Sequence, residues 1–145
     1  MHSLPAYPLA VSSRPFTHHV NVRYLEVDQQ GVVFNMWYLA YFDDAMTEWM
    51  KHIGVPYDEM FTDGVDAQVV HTELDWQGSA GWGDDLEVDV TVEHVGTTSL
   101  TLQFVAHVAE RPVVTASTVY VMVATDGSGK RPIPPALRAA LGSSA

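Results

Sequence analysis

The residues best suited to chemistry in this chain are Asp28, Gly31 and Asn35, within the run Glu26-Val27-Asp28-Gln29-Gln30-Gly31-Val32-Val33-Phe34-Asn35. The run reads as a strand end, a tight loop bearing one acid and one glycine, and the entry to a long apolar segment. A carboxylate beside the free N–H groups of a helix start stands where a polarised carbonyl could be attacked. Asp28 would supply the base or nucleophile, and the N–H groups would supply donors for the developing oxyanion. Gly31 would let the backbone take a positive φ or approach a ligand closely. Asp and Gly are equally common as plain turn formers, so both readings stand on local sequence.

The flanking segments must position that loop. Before it, from residue 19, Val20, Val22 and Tyr24 alternate with Asn21 and Arg23, a strand ending near Val27. After it, Asn35 suits an N-cap. In the helix predicted over residues 36–53, Leu39, Phe42, Met46, Trp49 and Ile53 recur at spacings of three and four. Trp37, Tyr38, Tyr41, Ala45 and Met50 widen the apolar face until the helix must be largely surrounded. Lys51 and His52 suit its last turn, and Gly54 and Pro56 close it. At about 1.5 Å per residue it would be roughly 27 Å long, enough to cross a small sheet.

A loop or short helix over 57–64 precedes a strand over 65–76 and a Gly-rich connection over 77–85. Leu86, Val88, Val90 and Val92 then alternate strictly with Glu87, Asp89, Thr91 and Glu93, and similar strands follow over 100–108 and 113–125. A terminal helix over 135–141 carries Pro at its first turn. One buried helix and several antiparallel strands make an α+β architecture in which the sheet curls around the helix.

A chain of 145 residues with 47% hydrophobic content is the size of one domain. Residues 1–18 read as a flexible N-terminal arm and 19–145 as the domain. No apolar run approaches a membrane span, and the N-terminal residues lack the pattern of a signal peptide, so a cytoplasmic location is expected. The absence of cysteine excludes disulfides, thiolate metal sites and a cysteine nucleophile. A net charge of −11 argues against nucleic acid as a partner. The few cations are unevenly spread: Lys130, Arg131 and Arg138 lie together near the C-terminal end, where a small anion could bind.

On an ordered series of motifs the chain resembles the hotdog-fold acyl-CoA thioesterases, in their 4-hydroxybenzoyl-CoA thioesterase-like branch. The series is Val22-Arg23-Tyr24, Asp28-x-x-Gly31-Val32-Val33-Phe34, Tyr38-Leu39-x-Tyr41-Phe42-Asp43, Glu73-Leu74, Gly83-Asp84, Thr98-Ser99-Leu100, Val119-Tyr120-Val121 and Lys130-Arg131-Pro132-Ile133-Pro134. It runs over about residues 19–141. The resemblance implies a hotdog fold, a curved antiparallel sheet wrapped around one long central helix. It implies homodimers joined sheet edge to sheet edge, or tetramers of them, with active sites at the dimer interface. It further implies hydrolysis of an acyl-CoA with no metal and no cofactor, coenzyme A being part of the substrate. The family's catalytic carboxylate falls on Asp28, and its carbonyl-polarising N–H falls around Asn35. Asn35 stands where many relatives have His or Tyr, and Met46 where many have Arg.

The resemblance also orders the remaining candidates. Lys130, Arg131 and Arg138, in isolation a solvated tail, become the candidates for the CoA phosphates, with Ser99 and Thr98 assisting. Asp43, at an acidic position of the family, either faces an interface or orients the active-site loop. His71 and Glu73 share one strand face, but no third ligand of convincing spacing accompanies them, so a metal is not expected and His71 is assigned to the active-site cleft. Two other functions compete with hydrolysis. One is a non-catalytic module binding acyl-CoA or acyl-carrier protein, suggested by Asn35 and Met46. The other is a hotdog dehydratase or hydratase, opposed by the lack of any His between His19 and His52.

Overall fold

The strict alternation of the second half of the chain builds the sheet. In the computed structural model, which describes residues 15–142, β3 (Asp85–Val95), β4 (Ser99–Val108) and β5 (Arg111–Ala124) form its centre. Leu86, Val88, Val90, Leu100, Leu102, Phe104, Val114, Ala116 and Met122 are buried on one face, while Glu87, Thr91 and Gln103 lie on the other. β1 (Phe16–Asn21) and β2 (Val65–Trp76) form the edges, in the antiparallel order β1-β3-β4-β5-β2.

The helix α1 (Trp37–His52) lies in the concave face of this curved sheet. Tyr38, Tyr41, Phe42, Ala45, Met46, Trp49 and Met50 are buried along it, and the Phe42 ring stacks on Phe104 at 5.0 Å. Burial of each large side chain contributes on the order of 1.5–3 kcal/mol, so the helix–sheet contact dominates the core. Two short helices complete the chain, α2 (Tyr57–Thr62) and α3 (Pro135–Leu141), with Leu137 and Leu141 buried. This is the α+β hotdog architecture that the motif series implies. No helix among the described residues is long and apolar enough to cross a membrane.

Three expectations are corrected. The first strand starts at Phe16 rather than residue 19, because Thr17 and His18 pair with Asp89 and Val88 of β3 and the Thr17 hydroxyl donates to Asp89 at 2.7 Å. The supposed arm thus gives residues 16–18 to the sheet, and the rest of it, up to residue 14, falls outside the described residues. The strand also ends early, at Asn21, and residues 24–26 form a 3₁₀ turn. The Glu26 carboxylate accepts the Arg23 N–H at 2.9 Å, which bends the chain out of extended pairing and turns Tyr24 and Leu25 to the surface. Finally, Asn35 is not the N-cap. Met36 holds that position in helical conformation with no side-chain cap, following a tight turn in which Trp37 N–H donates to Phe34 O at 3.0 Å and Leu39 N–H to Met36 O at 3.2 Å.

Candidate functional site

Local hydrogen bonds set the loop before α1. Val27 and Val33 pair as an antiparallel bridge, Asp28 N–H donates to Val32 O at 2.9 Å, and Gly31 N–H donates to Asp28 O at 2.9 Å. Asp28 Oδ1 accepts the Gln30 N–H at 2.8 Å, an Asx turn that fixes the side chain. Oδ2 has no partner among the described residues and remains available. Gly31 has φ 79°, while an added Cβ would meet nothing within 4 Å, so conformation rather than space calls for glycine there.

The Gly-rich connection braces this loop from outside. Val33 N–H donates to Ala80 O at 2.8 Å, and Val32 bridges to Gly81. Asp84 Oδ2 accepts the Gly81 N–H at 2.7 Å, and a Cβ at Gly81 would sit 3.2 Å from Gly31 O, so a side chain there would press the two segments apart. The buried Tyr38 hydroxyl is hydrogen-bonded to the Ala80 backbone, which ties the same brace to the first turn of α1.

Glu26 is a member of the site that strand reading alone missed. It is 3% exposed and accepts from Arg23 N–H at 2.9 Å, from Tyr41 Oη at 2.8 Å, and from Arg23 Nε and Nη2, each at 2.8 Å. Burial pushes its carboxyl up, but these donors together outweigh burial and hold it below the usual range. Its backbone carbonyl accepts the Phe34 N–H at 2.9 Å, so one residue joins the loop to α1. The available signal was that Glu26 shares the alternation of Val20, Val22 and Tyr24, an acid on the apolar side of a strand with a cation three residues away.

Beyond this framework two donors remain. The N–H groups of Asn35 and Met36, at the entry to α1, make no hydrogen bond among the described residues. They lie at the positive end of the helix dipole, where anionic oxygen is favoured. The Asn35 side chain is exposed and likewise forms no bond. A carboxylate with one free oxygen followed by unpaired donors can activate a nucleophile and stabilise an oxyanion on an incoming carbonyl.

A cavity of 260 Å³ opens between α1 and the inner face of β2 and β5, lined by Leu39, Phe42, Asp43, Val69, Thr72, Thr118 and Tyr120. Asp43, an exposed member of that lining, has its carboxyl raised by partial burial and by the adjacent Asp44 charge. A second cavity of 340 Å³, beside Phe61, Asp66 and the 125–129 turn, contains none of the candidate residues.

The remaining candidates fall in two places. Arg138 Nη2 donates to Gly96 O at 2.6 Å, which brings it to the turn that Ser99 closes by accepting the Gly96 N–H at 2.8 Å. Residues 130–133 run alongside, with Ile133 N–H donating to Thr97 O at 2.9 Å, so Lys130, Arg131, Arg138 and Ser99 gather at one end of the sheet. Arg131 is partly engaged, with Nη2 donating to Ser128 Oγ at 2.6 Å; Lys130 and Arg138 are exposed. His71 is on the outer face of β2, paired with Glu73 at 3.0 Å, both exposed. A register shift between Val69 and His71 gives the inner face to Val69 and Thr72, so His71 is not brought to the cavity. Among the described residues no three His, Asp or Glu side chains are arranged to hold a metal ion.

The family model described as the thioesterase-like superfamily matches residues 22–141. A 1,4-dihydroxy-2-naphthoyl-CoA hydrolase from Synechococcus elongatus is 24% identical over 119 residues, covering 81% of this chain and 88% of that protein. Among solved structures, a 1,4-dihydroxy-2-naphthoyl-CoA thioesterase from Synechocystis superposes with a TM-score of 0.80 at 22% identity, covering 88% of this chain and 96% of that one. A gentisyl-coenzyme A thioesterase superposes with a TM-score of 0.81 at 18% identity, covering 88% and 100%. At these identities the superpositions establish the fold.

Proposed function

The chain belongs to the thioesterase-like superfamily and is a thioester hydrolase, and from that premise we propose that it cleaves an acyl-CoA to a carboxylic acid and free CoA, with Asp28 as the acting carboxylate. The observation that carries this reading is the pair of N–H groups on Asn35 and Met36 without a partner among the described residues, just beyond the turn that holds Asp28. The thioester oxygen would point at those donors, which stabilise the negative charge of the tetrahedral intermediate. Asp28 Oδ2 either adds to the carbonyl carbon or takes a proton from water that adds instead. In both routes the C–S bond breaks and CoA leaves as the thiolate. Addition by Asp28 leaves a mixed anhydride that water then opens; water addition gives the acid directly. Lys130, Arg131 and Arg138 would receive the CoA phosphates at the exposed end of the sheet, an attraction that weakens as salt rises.

We further propose a homodimer, or a tetramer of dimers, formed through β2. That edge strand has twelve residues and presents Val70 and Trp76, 56% and 50% exposed, with its outer ladder unpaired among the described residues. Long apolar edges of this kind seek a partner strand. A Val70→Lys variant is expected to lower the mass measured by light scattering and to reduce hydrolysis, because in this reading the sites lie at the interface.

The decisive experiment measures free-thiol release from benzoyl-, short-chain, branched and long-chain acyl-CoAs by the wild type and by Asp28→Asn. Release by the wild type with near-complete loss in the variant is expected. Undiminished release by the variant would remove Asp28 from the reaction.

A further inference from the structure

The pair Gly83-Asp84 belongs to the motif series, yet neither residue takes part in the chemistry described above. Its local role is to close a ring. Asp84 N–H donates to Gly81 O at 3.1 Å and Gly81 N–H donates to Asp84 Oδ2 at 2.7 Å, so the turn over residues 81–84 is locked from both directions. Gly83 supplies the positive φ, 91°, that such a turn requires at its third position. A hydrogen bond to a carboxylate is stronger than one to a neutral acceptor, so the side chain contributes the firmer half of the lock.

That turn touches both flanks of the Asp28 loop. On one side Gly81 bridges to Val32 and lies so close to Gly31 O that a Cβ would sit 3.2 Å away, while Ala80 O receives the Val33 N–H at 2.8 Å. On the other, the Trp82 ring meets Tyr24 edge-on at 5.4 Å, within the 3₁₀ turn that leads to Glu26. Gly31 N–H and Val32 O are the two groups that close the Asp28 turn, so contact runs unbroken from the Asp84 carboxylate through the Gly81 peptide to the backbone that aims Asp28. We propose that Asp84 is a positioning residue for hydrolysis: it clamps the 81–84 turn against residues 31–33 and so fixes Asp28 relative to the N–H groups of Asn35 and Met36. This inference rests on the Asp28 reading above.

The clamp serves the site more than the core. Of residues 77–84 only Ala80 is buried, so the turn adds little to the apolar contacts that hold the fold. The other end of the connection is anchored independently, with Gln77 N–H and Gly78 N–H donating to Val113 O at 2.8 and 3.1 Å and Arg111 Nη1 donating to Ser79 O at 2.9 Å. Removal of the Asp84 carboxylate therefore loosens the 81–84 turn and leaves the sheet intact. A displacement of about 1 Å at a reacting group costs on the order of 10²-fold in rate, so a local loosening is enough to be seen in turnover.

The test measures acyl-CoA hydrolysis and backbone amide exchange in wild type, Asp84→Ala and Asp84→Asn. Asp84→Ala is expected to lower kcat by about tenfold to a hundredfold with KM within about twofold of wild type, because a displaced carboxylate impairs the chemical step. Asp84→Asn keeps an oxygen that accepts from Gly81 N–H, so it is expected to recover kcat to within about threefold, with an unchanged pH profile. Wild-type kcat in Asp84→Ala would overturn the proposal. So would a loss in Asp84→Asn as deep as in Asp84→Ala, because the charge and not the hydrogen bond would then be acting. Amide exchange needs no turnover: in Asp84→Ala it is expected to quicken at Val33 and its neighbours and to stay unchanged in α1 and β3–β5, with a melting temperature within a few degrees of wild type. Quickening throughout the protein would make Asp84 a plain structural residue and overturn the proposal. If no acyl-CoA is cleaved, or Asp28→Asn keeps wild-type turnover, the reading above fails and exchange alone decides: local quickening supports the clamp, and unchanged exchange refutes it.

Discussion

The outer face of β1, β3 and β4 carries more titratable groups than the entry to α1, and most of them are engaged by neighbouring side chains or backbone. His107 bridges Asp89 at 3.1 Å and the Ala109 carbonyl at 2.7 Å, and the Thr17 hydroxyl donates to the same Asp89 oxygen. His19 lies 3.2 Å from Glu87 and 3.9 Å from Asp85. At the entry to α1 Glu26 is saturated, while Asp28 Oδ2, the N–H groups of Asn35 and Met36 and, further along, the side chains of Tyr120 and Asp43 are left unpaired among the described residues. Saturated polar groups hold strands in register, and unpaired ones aimed into a cavity are free to meet a substrate. The difference separates structure from function more sharply than the density of acids and histidines does.

Variants can break or sharpen that distinction. Asp28→Asn should lower kcat by about 10²–10⁴-fold, the usual share of a positioned acid–base or nucleophilic group. Its unfolding midpoint should barely move, because the amide oxygen can still accept from Gln30. A folding defect with retained turnover would place Asp28 among the structural acids instead. Glu26→Gln should behave in the opposite way, losing about 1–3 kcal/mol in urea unfolding as the Arg23 guanidinium forfeits its carboxylate. Activity should fall only as far as the loop is displaced. Because the folded state holds the Glu26 carboxyl below its ordinary value of 4.5, its stabilisation is complete above that value and is lost as pH drops through the lower folded value. The wild type should therefore lose its advantage over Glu26→Gln in acid.

The smallest effect belongs to the outer face. Burial lowers the His107 pKa, but the Asp89 hydrogen bond, the Ala109 carbonyl and the charges of Asp89 and Glu87 raise it by more. A raised value means stabilisation that is complete below pH 6.5 and lost as pH climbs through the folded value. His107→Gln should cost less than about 1 kcal/mol at pH 6 and still less at pH 9, read as the difference in melting temperature. Its kcat should match wild type throughout.

Much of this was legible from residue order. The spacing of Leu39, Phe42, Met46 and Trp49 specified a helix that needs covering, and the alternation from Leu86 to Val92 specified a strand with one dry face. Asp28 and Gly31 were readable as a turn because that chemistry is local, and the Asx bond and positive φ follow from the two residue types. Glu26 was readable only as an acid on the apolar side of the first strand, not as an anchor. Its burial depends on Tyr41 arriving from α1, a contact across fifteen positions that alternation cannot express. Asn35 was misjudged as a cap because the turn from Phe34 to Met36 begins the helix later than side-chain preference suggests.

By itself, then, the order of residues determined the helix, the strands, the loop acid and the family. Local periodicity and turn chemistry operate over a few positions and need no partner. Only the tertiary structure decided which polar groups would be consumed and which left unpaired. Tyr120 alternates on β5 like its neighbours, and nothing in that pattern distinguishes it from a core tyrosine. Its unpaired hydroxyl exists because β2, β5 and α1 enclose a space there that none of their side chains fills.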